Sequence, residues 1–338
     1  MKRWQFWVGL IISAFFLYIT LRGMELNQVW DALVHAQYWW LVPGVLVYFV
    51  GVWVRAWRWH YMLRPLKKIP TRTMFPIVAI GYMGNNIYPA RAGEVLRAAI
   101  LKQREGVPIS ASLATVIVER IFDGVVMLAF VFVNLPEMAR LAQQSVKVSG
   151  FGIEFVAIVG TIVFVGALLV FLAVAMFPKV TERMVDVLLK FLPARLRDRT
   201  RDLTMRFLSG LESLRSPQEA LMIFFTTVLI WLLETGKYWF VMHAFNFSVS
   251  YFALMLMNGV VVLATTLPSA PGYVGTFDAP GIAVLMAYGV PGEIAAGYTL
   301  VLHGALWFPI TLLGAYYYFR QPLRWGKEVS KEVVQSEA

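Results

Sequence analysis

Gly84-Asn85-Asn86-Ile87-Tyr88-Pro89-Ala90-Arg91-Ala92-Gly93-Glu94-Val95-Leu96-Arg97 and, later in the chain, Leu267-Pro268-Ser269-Ala270-Pro271-Gly272-Tyr273-Val274-Gly275-Thr276-Phe277-Asp278 decide how this sequence folds. Each is a polar, proline- and glycine-punctuated interruption of otherwise membrane-grade sequence. Bare backbone facing hydrocarbon is costly, so an interruption at membrane depth has to line a protected, wet cavity. A cavity of that kind is a pathway, and transport is the expectation.

The surrounding composition supports a membrane setting. Of 338 residues 59% are hydrophobic and 15% charged, with a mean hydropathy of +0.65, which leaves too little polar surface to coat a soluble globule. Hydropathy marks six long apolar stretches, at 4–21, 38–54, 113–135, 151–177, 219–243 and 295–319. Most reach the ~20 residues needed to cross ~30 Å of hydrocarbon. Two shorter runs, 73–88 and 251–266, lead into the interruptions. The Met1-Lys2-Arg3 start followed by an apolar run reads as a retained first helix, because no small-x-small cleavage site follows it. The chain has no cysteine, which excludes disulfides, thiolate metal sites and cysteine nucleophiles. Its net charge of +10 is placed in loops beside the spans, so it is assigned to anionic membrane lipids and not to nucleic acid. Trp4, Trp7, Trp39, Trp40, Trp57, Trp59 and Trp325 read as interfacial anchors.

Charge placement also predicts topology. Most of the 30 Lys and Arg residues fall in five patches, at 2–3, 55–72, 91–104, 179–215 and 320–331, all assigned to the cytoplasmic side. The patches at 55–72 and 91–104 share a side only if 73–102 enters the membrane and turns back, with its tip near 84–89. Between Lys237 and Arg320 there is no Lys or Arg, and the parity of crossings lets 251–289 dip in from the opposite face. The expected fold is an all-α polytopic membrane protein, one membrane domain over 1–338. It has about six spans plus two re-entrant helical hairpins, with both termini inside. Residues 1–135 and 151–319 form inverted repeats, and a basic amphipathic segment, 179–215, is inserted in the second. Arg55 and Lys237 each precede their hairpin proline, Pro89 and Pro271, at the same offset.

Several ionisable residues fall at membrane depth, where a charge costs about 2.5–3.5 kcal/mol on insertion scales. Glu119, Arg120 and Asp123 sit near the middle of the 113–135 stretch. Glu119 and Asp123 share a helix face and repel, so a cation belongs beside them: Arg120 locally, Lys237 or Arg91 from elsewhere. A structural ion-pair network is the competing reading. In the first interruption, Arg91 and Arg97 beside a helix start at Ala92 and Gly93 suit an oxyanion. Asn85 and Asn86 can donate to a ligand or to broken backbone, and Glu94 neutralises the arginines or receives a proton or amine. In the second interruption Pro271, Gly272 and Gly275 allow close backbone approach, and Asp278 offers an acceptor. Glu234 and Lys237 read as a self-satisfied pair, and His303 as a packing residue or minor proton relay. Four His and no Cys supply no catalytic metal set, and no cofactor is expected.

The ordered motifs Asn86-x-x-Pro89-x-Arg91-x-Gly93-Glu94-x-x-Arg97, Glu119-Arg120-x-x-Asp123 and Leu267-Pro268-x-x-Pro271-Gly272-x-x-Gly275 run through nearly the whole chain. Together they resemble the flippase-like integral membrane family typified by the transmembrane domain of lysylphosphatidylglycerol synthases. That resemblance implies translocation of a lipid between leaflets of a bacterial cytoplasmic membrane: an anionic phospholipid, an aminoacyl-phospholipid or a polyprenyl-phosphate-linked intermediate. The synthases carry a soluble aminoacyl-transferase domain after the membrane part, which this sequence lacks beyond its last span, so lysyl transfer is not expected of it. Expected partners are the lipid substrate, anionic membrane lipids, a separate lipid-modifying transferase and a second copy of the chain. The alternatives are a proton-coupled carrier of a small anion using Glu94, Glu119 and Asp278, an intramembrane enzyme acting on a headgroup, and a non-transporting partner that presents lipid to a transferase.

Overall fold

The computed structural model describes residues 11–16, 24–88, 91–144, 176–189, 216–265 and 270–320, with scattered positions between 18 and 22, 166 and 173, and 197 and 208. The readings that rest on 4–10, Pro89, 151–165, Pro268, Ser269 and Trp325 lie outside the described residues. All regular structure described is helical. In chain order it comprises α1 (Leu26–Val34), α2 (Leu41–Leu63), α3 (Thr71–Ile87), α4 (Ala92–Glu105), α5 (Ile109–Gln144), α6 (Pro178–Leu189), α7 (Pro217–Met242), α8 (Tyr251–Ala264), α9 (Asp278–Ala287) and α10 (Gly292–Arg320). Among the described residues, Tyr38–Leu63, Pro217–Met242 and Gly292–Arg320 are long and apolar enough to cross a membrane. The 113–135 stretch lies within α5, and 73–88 and 251–266 coincide with α3 and α8.

Sidedness is visible along α2. Val42, Leu46, Val50 and Trp53 recur every three or four residues and are exposed, whereas Tyr48, Val52, Trp59 and Met62 are buried against neighbouring helices. An apolar stripe turned outward and a mixed polar face turned inward reverse the soluble pattern, as lipid contact requires. Leu221, Phe225, Leu300, Phe308 and Leu312 continue the exposed apolar surface on α7 and α10.

The helices pair in an ordered way. α2 and α7 lie side by side and make the most extensive interface. α3 and α4 form one helical hairpin, α8 and α9 another. α3 packs on α10 and α8 packs on α5; α2 packs on α10 and α7 on α5; α4 packs on α5 and α9 on α10. Exchanging α2–α5 for α7–α10 therefore maps each of these contacts onto another.

Local sequence sets the hairpin turns. Tyr88, the residue before Pro89, is extended (φ −101°, ψ 142°), as proline's ring demands of its predecessor, and this ends α3. Arg91 takes a left-handed conformation (φ 53°) and starts α4. The two helices then touch backbone to backbone. A Cβ on Gly84 would lie 2.7 Å from Gly93 Cα, and one on Gly93 would lie 2.5 Å from the Asn85 nitrogen, so both must be glycine. Asn86, in the last turn of α3, donates to Thr311 Oγ1 (2.8 Å) and to the Trp307 carbonyl (3.4 Å), tying the hairpin tip to α10.

Candidate functional site

Where the two hairpins meet α2, α5, α7 and α10, they enclose a polar cavity of ≈ 200 Å³. Charge enters it from four helices. On α2, Arg55 and Arg58 stand three apart on the inward face. Arg55 Nη2 donates to Glu234 Oε1 on α7 (2.8 Å), and Arg58 Nη1 donates to Asp123 Oδ1 on α5 (2.6 Å) and to Thr227 Oγ1 on α7 (3.1 Å). Asp123 Oδ1 also accepts from the Trp231 indole (3.2 Å). From α4, Arg97 grips Glu119 with both terminal nitrogens, at 2.6 and 3.3 Å, and lies 4.7 Å over the Trp59 ring. Lys237 pairs with Glu234 on its own helix and sits 4.4 Å over the Tyr48 ring. Bidentate and stacked arrangements of this kind fix both partners and suit arginine in particular.

These pairings revise several sequence readings. The cations for Glu119 and Asp123 are Arg97 and Arg58, with Arg120 beside both (3.9 and 3.5 Å). Lys237 and Arg91 do not serve them. Arg97, expected to offer its guanidinium to an oxyanion, is 7% exposed and engaged by Glu119. The charge pattern assigns Arg55 and Arg58 to the cytoplasmic patch at 55–72. They lie inside α2, and Arg58 is 1% exposed, because α2 extends to Leu63 and its final turns are enclosed by α5 and α7. Trp59 is no interfacial anchor: it is fully buried and its indole donates to Thr115 (2.8 Å). Glu234 is not satisfied by Lys237 alone, since Arg55 shares it.

Two arginines remain open to the cavity. Arg91 and Arg120 have side chains 25% and 43% exposed, and both approach Glu94, at 4.0 and 3.3 Å. Arg91 also donates to the Thr265 carbonyl (3.4 Å), linking the first hairpin to the end of α8. Asn85, Asn86, Glu94, Arg97, Glu119, Asp123, Lys237 and Gly272 line the cavity with Arg91 and Arg120. The structure adds Tyr48, Arg55, Tyr82, Trp231, Glu234, Asn258 and His303 to that lining. The signal that could have found Arg55 was its position inside an apolar run that continues to Trp59.

The second interruption acts as a wall. Pro271–Tyr273 forms one 3-10 turn with Gly272 at φ 77° and Tyr273 at φ 62°. Asp278 does not reach the cavity. One of its oxygens accepts from the Gly275 amide (2.8 Å), and the other lies 2.8 Å from His303 Nδ1, while His303 Nε2 lies 2.7 Å from the Gly272 carbonyl. Asp278 and His303 thus staple the loop to α10, and Gly275 belongs to this staple.

A second cavity of ≈ 550 Å³ adjoins the first. Asn86, Gly272, His303 and Trp307 line both. The rest of its lining is apolar and partly exposed on the outer surface: Ile87, Pro271, Val274, Leu300 and Phe308, with Gly304. A small charged chamber therefore adjoins a larger, mostly apolar groove on the outer surface.

Comparison with known proteins agrees with a membrane assignment. The chain is 25% identical to a UPF0104 membrane protein of Methanothermobacter thermautotrophicus, covering 93% of this chain and 92% of that one. It is also 25% identical to the glycosyltransferase AglD of Haloferax volcanii, where 90% of this chain matches 52% of the relative, about half its length. No solved structure matches the chain. Residues 6–314 match the family described as the lysylphosphatidylglycerol synthase TM region, and the chain belongs to that family of membrane proteins.

Proposed function

We propose that this protein moves an anionic, phosphate-bearing lipid between the leaflets of a membrane by alternating access, as a transporter and not as an enzyme. The observation that carries the reading is the pairing of chambers: a charged cavity of ≈ 200 Å³ for a headgroup, sharing a wall with an apolar groove of ≈ 550 Å³ for the start of a hydrocarbon chain. A carrier of a small soluble anion has no use for the groove. In this reading α3–α4 and α8–α9 are the re-entrant hairpins, entering from opposite faces, in a frame of about six spans with both termini inside. Residues 1–135 and 151–319 are the inverted halves, in the cytoplasmic membrane of a bacterium. The exchange of contacts between α2–α5 and α7–α10 supports that arrangement.

The headgroup rests against Arg91 and Arg120, the two open guanidinium groups, while the chain lies between Trp307, Phe308 and Val274. The buried pairs Arg97–Glu119 and Arg58–Asp123 hold the chamber's shape, and the halves rock about the α2–α7 interface. The test is a leaflet-accessibility assay in proteoliposomes with headgroup-labelled lipids. Wild type should expose inner-leaflet label faster than empty vesicles, and Arg91→Ala should slow this about tenfold, the loss of one charge-assisted contact of about 1.4 kcal/mol. Movement unchanged by Arg91→Ala and Arg120→Ala would reject the site. A second reading, a lipid-presenting partner of a separate transferase, is favoured by the match to only half of the glycosyltransferase. It predicts lipid binding without lipid movement.

A further inference from the structure

The charges around the polar cavity do not cancel. Among the described residues, five cations line it, Arg55, Arg91, Arg97, Arg120 and Lys237, and a sixth, Arg58, stands behind Asp123, against four lining carboxylates, Glu94, Glu119, Asp123 and Glu234. Asp278 stands outside this count: it does not line the cavity, and its carboxylate is engaged by the Gly275 amide and by His303, which bridges it to the Gly272 carbonyl. The surplus can be located. Glu119 is matched by Arg97 and Asp123 by Arg58. Glu234 is shared by two cations, Arg55 and Lys237, and Glu94 by two more, Arg91 and Arg120. One unmatched positive charge stands at each of those carboxylates, and both carboxylates line the same chamber.

From this balance, and resting on the lipid-transport reading above, we infer that the headgroup carries two negative charges: a phosphate monoester or a pyrophosphate, not a phosphodiester and not a cationic aminoacylated headgroup. Uncompensated charge inside a low-dielectric wall demands a counter-charge of equal size. A singly charged diester leaves one cation unmatched, and an aminoacylated lipid brings an amine into a chamber already rich in arginine. Two separated surplus sites also fit an extended dianion better than a point charge. The adjoining groove assigns the ligand to a lipid, and a free phosphate is the competing source.

The experiment compares wild type with Arg91→Gln and Arg55→Gln, using matched lipids that differ only in headgroup: phosphatidate at pH 8, its monomethyl ester, phosphatidylglycerol and a lysylated phosphatidylglycerol. Binding is measured in detergent by native mass spectrometry or by tryptophan fluorescence, and transfer in proteoliposomes. The monoester should bind at least about tenfold more tightly than its methyl ester, the ratio for one additional ion contact in a screened protein setting, and either variant should shrink that ratio to about twofold. Equal binding of the two, or preference for the lysylated lipid, overturns the inference. The binding measurement holds whether or not lipid crosses. Tight monoester binding without transfer sustains the charge match and counts against the transport reading, and transfer without headgroup preference does the reverse. Inorganic phosphate or glycerol phosphate binding as tightly as phosphatidate would keep the dianion and remove the lipid.

Discussion

Arg97→Leu tests whether the charged network is scaffold or ligand site. The substitution removes the bidentate partner of Glu119, whose side chain is 3% exposed, together with the cation stacked on Trp59 at 4.7 Å. Breaking a buried pair from one side costs about 3–5 kcal/mol, and here the remaining carboxylate loses its bidentate partner and keeps only the half-exposed Arg120 at 3.9 Å. An unfolding entropy of about 2.1 cal/mol/K per residue, taken over a chain of 338, gives about 0.7 kcal/mol/K, so the midpoint should fall by roughly 4–7 °C. Removing both members restores most of this, since replacing a buried pair with apolar groups is often neutral or stabilising. The assay is thermal unfolding in detergent, followed by tryptophan fluorescence and by size exclusion, for Arg97→Leu, Glu119→Leu and the double variant. A double variant within about 2 °C of wild type, beside single variants that each lose several degrees, is the expected coupling. Additive losses, or an Arg97→Leu protein as stable as wild type, would refute the strut and return Arg97 to the set of groups free to hold a ligand.

Three further outcomes follow from the geometry. Gly93→Ala should force α3 and α4 apart, since its Cβ falls 2.5 Å from the Asn85 nitrogen; overpacking of about 1–3 kcal/mol or more is expected, against little change for Gly304→Ala, whose nearest neighbour lies at 3.8 Å. Thermal unfolding of the two side by side decides it. Arg64→Ala removes a pair with Glu219 at 3.1 Å that is 35% exposed on the arginine side, so the loss should stay within about 1 kcal/mol; a larger one would show that exposure is the wrong guide to these pairs. His303→Leu strips Asp278, 2% exposed, of its partner on α10 and frees the Gly272 carbonyl. It should cost about 3–5 kcal/mol and speed amide exchange across 270–278, while unchanged exchange there would dispose of the staple.

How far the sequence disclosed this arrangement depends on how local each cause is. The hairpin turns were legible because Pro89, Gly84, Gly93 and Gly272 act on their own backbone and immediate neighbours. Glu119 and Asp123 were legible as buried charges because the apolar stretch around them is long and a four-residue spacing fixes their common face. Their partners were not legible. Arg58 meets Asp123 across 65 residues of chain and Arg55 meets Glu234 across 179; the apolar run continuing to Trp59 places both arginines within a span, but nothing near either one names its partner. Trp59 was hidden in the same way, since a tryptophan near a helix end reads as an anchor until a neighbouring helix covers it. Asp278 had the composition of a ligand residue and serves a loop, because its acceptors are used by Gly275 and His303 close at hand.

The meeting of Arg55 and Lys237 on one carboxylate bears on how the molecule is built. These two residues stand at equal offsets before Pro89 and Pro271, on α2 and α7 respectively. Equivalent positions in two halves lie far apart unless they are close to the axis that relates the halves. Arg55 Nη2 reaches Glu234 at 2.8 Å and Lys237 reaches the other oxygen of the same carboxylate, so both side chains converge on one point between α2 and α7. In the inverted-repeat arrangement proposed above, a two-fold axis through the interface of those helices would account for that convergence and for the exchange of contacts between α2–α5 and α7–α10. On such an axis a single acid cannot be duplicated by symmetry, so two equivalent cations share one carboxylate and one positive charge is left over. Under the proposed repeat, the surplus beside Glu234 follows from placing charge at its centre. In the rocking motion proposed above, a group on that axis would be displaced least, so this cation would face the cavity throughout, while Arg91 and Arg120, on the first hairpin and α5, would move with one half.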